Sequence, residues 1–132
     1  MDGYFADIEQ VALENEDFRR VLYTARNCQL VVMSLRPGED IGEEVHTLDQ
    51  FFRCEKGTGI AILDGVERTI TNGTALIVPA GARHNIINGS DGAMKLYTVY
   101  APPNHRDGTV HATKEQAEKD DEHFDGVLTE GA

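Results

Sequence analysis

An all-β fold, an antiparallel sandwich or barrel with a short helix at each end, is what this sequence predicts, on three observations. Short apolar or β-branched runs recur along the chain, at 18–23, 28–35, 51–54, 58–63, 66–71, 75–78, 84–87 and 94–100. Turn-forming residues separate them. No long stretch with a 3.6-residue apolar period lies between them, so parallel strands joined by helices are not expected.

Taken in order, the chain opens with Asp7 and, three residues on, Gln10, a capping box that starts a helix near Ile8 to Glu14. Strands at 18–23 and 28–35 flank Asn27, and Pro37-Gly38 ends the second. The run at 51–54 stops at Lys56-Gly57. Between 58–63 and 66–71, Asp64-Gly65 can supply the two left-handed residues of a type I′ turn, making this the clearest hairpin. Asn72-Gly73, Pro79-Ala80-Gly81 and 88–92 then punctuate the runs at 75–78, 84–87 and 94–100. Thr113 with Gln116 is a second capping box and predicts a helix near Lys114 to Glu122. That last segment, KEQAEKDDEH, has almost no apolar stripe and reads as a solvated tail.

The 132 residues and 40% hydrophobic content suit one core. A single domain over 1–132 follows, with its barrel at about 18–101, a helical segment at 1–17 and a polar extension at 102–132. With 23 acidic against 12 basic residues the formal charge is −11, which repels phosphate backbones and anionic lipid, so neither nucleic acid nor membrane is an expected partner. Acidic residues interrupt the N-terminus and no 18-residue apolar run occurs, which predicts a soluble, cytoplasmic protein. Cys28 and Cys54 both lie in strand-like runs, as buried thiols of a reducing compartment would.

Chemistry concentrates in two segments. In an extended strand, residues two apart share a face, so Glu44 and His46 project together, and Gln50 has the same parity. His84 arrives from another strand. Two imidazoles, one carboxylate and one amide oxygen form a mixed shell suited to a divalent Zn, Mn, Fe, Ni or Co ion. By strand parity Phe52, Cys54 and Ile86, with Tyr97 or Tyr100, line the same interior, and a tyrosine hydroxyl there is a proton donor. Arg53 and Arg83 fall on the opposite face, so no phosphate clamp is evident. His105 and His111 read as ordinary loop histidines.

The same residues carry a resemblance. Gly38, five residues, Glu44-x-His46, three residues, Gln50, six residues and Gly57 reproduce the spacing of the first cupin motif, whose usual histidine and glutamate are Glu44 and Gln50 here. Gly73, Pro79, Gly81, His84 and Asn88 match the second motif, with fifteen residues between Gly57 and Gly73. The sequence therefore resembles a small single-domain cupin of the conserved-barrel type, of the kind often labelled mannose-6-phosphate isomerase-like.

The resemblance implies a double-stranded β-helix, or jelly-roll barrel, with the metal held by Glu44, His46, Gln50 and His84. It implies an isomerase, tautomerase or dioxygenase acting on a small oxygenated metabolite such as a sugar or keto acid, with Glu44 or Tyr100 moving the proton. A non-catalytic ligand-binding or metal-sensing module is the alternative. Phe51 and Ile87, facing outward, suggest a sheet face covered in a homodimer.

Overall fold

A computed structural model describes residues 1–131 and gives the order α1 (Ile8–Glu14), β1 (Arg19–Thr24), β2 (Gln29–Leu35), β3 (Glu44–Val45), β4 (Asp49–Lys56), β5 (Gly59–Leu63), β6 (Val66–Ile70), β7 (Ala75–Val78), β8 (Arg83–Asn88), β9 (Met94–Ala101), β10 (Val110–His111) and α2 (Lys114–Lys119). All strand pairings are antiparallel. One sheet runs β10-β1-β2-β9-β4-β7 and the other β3-β8-β5-β6. The chain passes from sheet to sheet after β2, β3, β4, β6, β7 and β8, which is the jelly-roll path the sequence predicts.

Local chemistry sets the punctuation. The β5–β6 hairpin turns on Asp64 and Gly65, both at positive φ (47° and 81°), as a type I′ turn requires. Both capping boxes form, with Asp7 accepting from the Gln10 amide and Thr113 from the Gln116 amide. The second helix stops at Lys119, short of Glu122, because nothing apolar prolongs it.

Inward-facing residues of both sheets make the core. Phe52, Cys54, Ile86 and Leu96 are at most 2% exposed and lie between the sheets with Met33, Leu35, Ile70 and Met94. Truncating a buried phenylalanine such as Phe52 typically costs about 3–5 kcal/mol. Strand β2 is buried on both faces, since α1 packs on the outer face of β2, β4 and β9. Lys95 crosses this contact, with its ammonium donating to the Asn15 carbonyl and the Ser34 hydroxyl.

Two features differ from the sequence reading. The sheet does not end near residue 101, because β10 pairs with β1, setting His111 opposite Arg19. A two-residue strand has too little pattern to be seen in advance. Cys28 is exposed, at the turn before β2, while Cys54 is buried; both thiols are free.

Candidate functional site

Register brings the predicted residues together. Glu44 on β3 pairs with His84 on β8, and Gln50 on β4 pairs with Tyr100 on β9. His46 lies between β3 and β4, and its carbonyl accepts the Gly81 amide at 2.8 Å. Gly81 holds φ at 89°, a conformation only glycine adopts at little cost, so the turn that aims His84 is fastened to the loop carrying His46. The Ala80 amide adds a bond to the Asp49 carboxylate.

Inside the barrel mouth, His46 Nε2 lies 3.0 Å from Glu44 Oε2, and the rings of His46 and His84 are 5.3 Å apart. Tyr100 meets the His46 ring edge-on at 6.0 Å, and Phe52 backs His84 at 6.2 Å. Gln50 donates from Nε2 to Thr98 Oγ1, while its buried Oε1 has no hydrogen-bond partner among the described residues. Tyr100, rather than Tyr97, is the interior tyrosine. Tyr97 is half-buried and pairs with Phe51 instead.

These groups suit a metal in one respect and fall short of a finished centre in another. A buried amide oxygen without a partner costs free energy unless something meets it, and His84 Nδ1, 3.2 Å from the Ala82 carbonyl, leaves Nε2 bare as a ligand atom. Among the described residues, no three histidine, cysteine, aspartate or glutamate side chains are already clustered as a metal site. Glu44 and His46 instead face each other as a hydrogen-bonded pair.

His105 and His111 correct the reading of them as loop histidines. Both are buried, at 7% and 4% exposure. His105 Nε2 stands 3.1 Å from the Tyr100 hydroxyl, and its Nδ1 is 3.0 Å from both carboxylate oxygens of Glu122. His111 Nε2 is 2.9 Å from Asp120 Oδ2, and Nδ1 is 3.3 Å from Arg19 Nη1. The segment after β9 thus folds back over the barrel mouth. Part of the tail expected to be solvated, Glu122 above all, is sealed into it.

Arg19 is the buried charged residue of this region that sequence reasoning missed. It is buried at 8% exposure, and it shares a cleft of about 300 Å³ with Glu44, His105, Lys114 and Glu122. The adjacent Arg19-Arg20 pair in a strand carried the signal, since alternation must turn one of the two inward.

The electrostatics follow from this enclosure. Burial pushes the Tyr100 hydroxyl up to about 12, with Arg19 pulling against it. Burial also opposes the Glu44 charge, yet contact with His46, and then the field of Arg19, holds its carboxyl below the ordinary range. Burial lowers His105, which keeps its imidazole neutral with Nδ1–H toward Glu122. In Glu122, burial is outweighed by hydrogen bonds from His105 and the Arg106 amide, and the carboxyl stays low.

A jelly-roll barrel with imidazole, carboxylate and amide groups in its interior defines the class by its fold and polar inner face. The chain belongs to the cupin family, since residues 31–100 match the model described as Cupin domain. Uncharacterized protein YrkC of Bacillus subtilis is 42% identical over 121 residues, covering 86% of this chain and 65% of YrkC, so the chain spans just under two thirds of that relative. The crystal structure of BH2720 from Bacillus halodurans superposes with a TM-score of 0.87 at 39% identity, covering 89% of this chain and 94% of that one. Dimethylsulfoniopropionate lyase DddW of Ruegeria pomeroyi is 32% identical over 72 residues, which are 54% of this chain and 47% of DddW.

The helices of the structure are too short and polar to cross a membrane.

Proposed function

We propose that the protein is a metal-dependent enzyme acting on a small oxygenated metabolite within the barrel mouth. The observation that carries this reading is the buried, unpartnered Gln50 Oε1 on the same interior surface as His46 and His84. Glu44, His46, Gln50 and His84 would hold a divalent Zn, Mn, Fe, Ni or Co ion, which when bound polarises a carbonyl or enediol oxygen of the substrate.

The chain's own groups divide the remaining work. Tyr100, with its hydroxyl proton firmly held, donates a hydrogen bond to substrate oxygen or to His105, and the neutral His105 returns or receives that proton through Nε2. Glu122 fixes the tautomer and direction of the His105 ring. Glu44, kept ionised, accepts a proton from carbon or water at the mouth. Phe52, Leu48 and Ile86 exclude bulk water from the interior.

Isomerisation, tautomerisation and oxygenation all begin with a carbonyl or enediol held in this way, and sugars and keto acids are the substrate classes that present one. The similarity to a lyase adds elimination to the set. Elemental analysis of the purified protein, beside a screen of sugars, keto acids and diketones under air and under nitrogen, tests the reading. Oxygen uptake selects a dioxygenase, anaerobic turnover an isomerase or lyase, and tight binding without turnover a binding module. Absence of metal after refolding with each ion overturns the metal assignment.

We also infer a cytoplasmic homodimer. Ile77 on edge strand β7 and Val66 on edge strand β6 are 66% and 54% exposed, a surface a second copy would cover. Light scattering that returns a monomer at micromolar concentration removes this inference.

A further inference from the structure

Arg19 is a buried guanidinium whose acidic neighbours are all engaged elsewhere. Of the carboxylates in its cleft, Glu44 is paired with His46, Asp120 with His111, Glu122 with His105, and Glu118 lies 4.0 Å from Lys114. Among the described residues, no carboxylate lies within salt-bridge distance of Arg19. Its Nη1 lies 3.3 Å from Nδ1 of His111, its Nε has no hydrogen-bond partner among the described residues, and the Phe18 ring lies 5.3 Å from the guanidinium carbon. A charge taken out of water in this way is costly unless an anion completes it.

We propose that Arg19 anchors the carboxylate group of the substrate, so that the enzyme acts on a small carboxylic acid rather than on a neutral sugar or a phosphate ester. This rests on the reading that the cleft leads to the reaction site, since Glu44 lines both. The geometry favours carboxylate over phosphate. One planar guanidinium satisfies one carboxylate, whereas a dianionic phosphate would face Glu44, Glu118, Asp120 and Glu122 with Lys114 already held by Asp40. Phe18 and Ile41 supply an apolar wall for a short carbon chain, and a cleft of about 300 Å³ admits only a small molecule. The His111–Asp120 pair steadies the guanidinium through Nη1 where Arg19 lines the cleft.

The test uses the full chain after chelator treatment, so that no resident metal can bind the probe. Propionate and lactate, with propionamide and lactamide as neutral counterparts, are titrated by calorimetry and by histidine ring resonances in NMR. The acids are expected to bind saturably, with the amides at least about tenfold weaker and Arg19→Met weakening the acids by a similar factor. Arg19→Lys, which keeps the charge without the planar fork, should fall between. Amides that bind as well as acids, no saturable acid binding, or an Arg19→Met variant within threefold of the parent would each overturn the proposal. The acid and amide comparison is made on the parent protein and stands even if a variant misfolds. A protein that takes up no metal but shows these differences would sink the metal assignment while leaving Arg19 in place.

Discussion

The Tyr100 hydroxyl lies 3.1 Å from His105 Nε2, although one residue belongs to the last long strand and the other to the segment that follows it. The contact joins the barrel interior to its cover. Glu122, on the far side of the imidazole, completes a line of three groups running from the core to the C-terminal segment.

Acid should open this cover. Burial places the His105 pKa below its unfolded value, so the neutral ring contributes stability that is complete above about 6.5 and lost as pH falls through the lower folded value. Glu122, also lowered, acts in the same direction as pH drops below its ordinary value near 4.5. Protection of residues 104–124 against amide hydrogen exchange, taken relative to the intrinsic rate at each pH, is therefore expected to fall below pH 6, before that of the barrel strands follows. In Glu122→Gln the loss of the charged partner should weaken the cover at neutral pH as well. Protection factors in this segment that are flat from pH 7 to 4 contradict the assignment.

Gln50→Leu separates the metal reading from a structural one. Removing a buried acceptor that has no partner, together with the bond to Thr98, should leave the chelator-treated protein within about 2 kcal/mol of the parent, while metal affinity falls about tenfold or more. Thermal melts and competition against a chromophoric chelator measure the two quantities. His46→Ala and His84→Ala should abolish metal uptake altogether.

Asn88 is predicted to matter for stability and not for chemistry. Its Nδ2 donates to the carbonyls of Leu35, Arg36 and Gly92, and its Oδ1 accepts from the Ser90 amide. Asn88→Ala leaves these buried groups unpaired and should cost about 3 kcal/mol or more in denaturant unfolding. A loss under 1 kcal/mol would show that water replaces the side chain.

Gly59→Ala should be nearly as damaging. A Cβ there would sit 2.0 Å from the Ile87 carbonyl oxygen and 2.8 Å from the end of Met94, so β5 and β8 must separate. The expected loss is about 2–4 kcal/mol. Alanine at Gly92, where nothing lies within 4 Å, is the matched control and should unfold as the parent does.

The eight longer strands and both capped helices were legible in the chain because each rests on local rules: alternation, turn residues at positive φ and side chains that cap helix ends. The nearness of Glu44, His46 and His84 was legible too, since parity and motif spacing carry it, and Phe52, Cys54, Ile86 and Tyr100 face inward as alternation requires. Cys28 was misplaced because one position at a strand end decides whether a side chain is covered. Gly59 gave no sign of its role, which depends on a carbonyl from a strand far along the chain.

By itself the sequence determined the barrel and the inward set of polar residues, because the energetics of strands, turns and caps are short-ranged. Only the tertiary structure decided that the polar C-terminal segment closes the mouth, burying His105, His111 and Glu122 and leaving Arg19 an internal cation with no carboxylate at salt-bridge distance among the described residues. Those burials arise from pairings such as Arg19 with His111, 92 residues apart, and the free energy of so distant a contact leaves no periodic trace in the residues on either side.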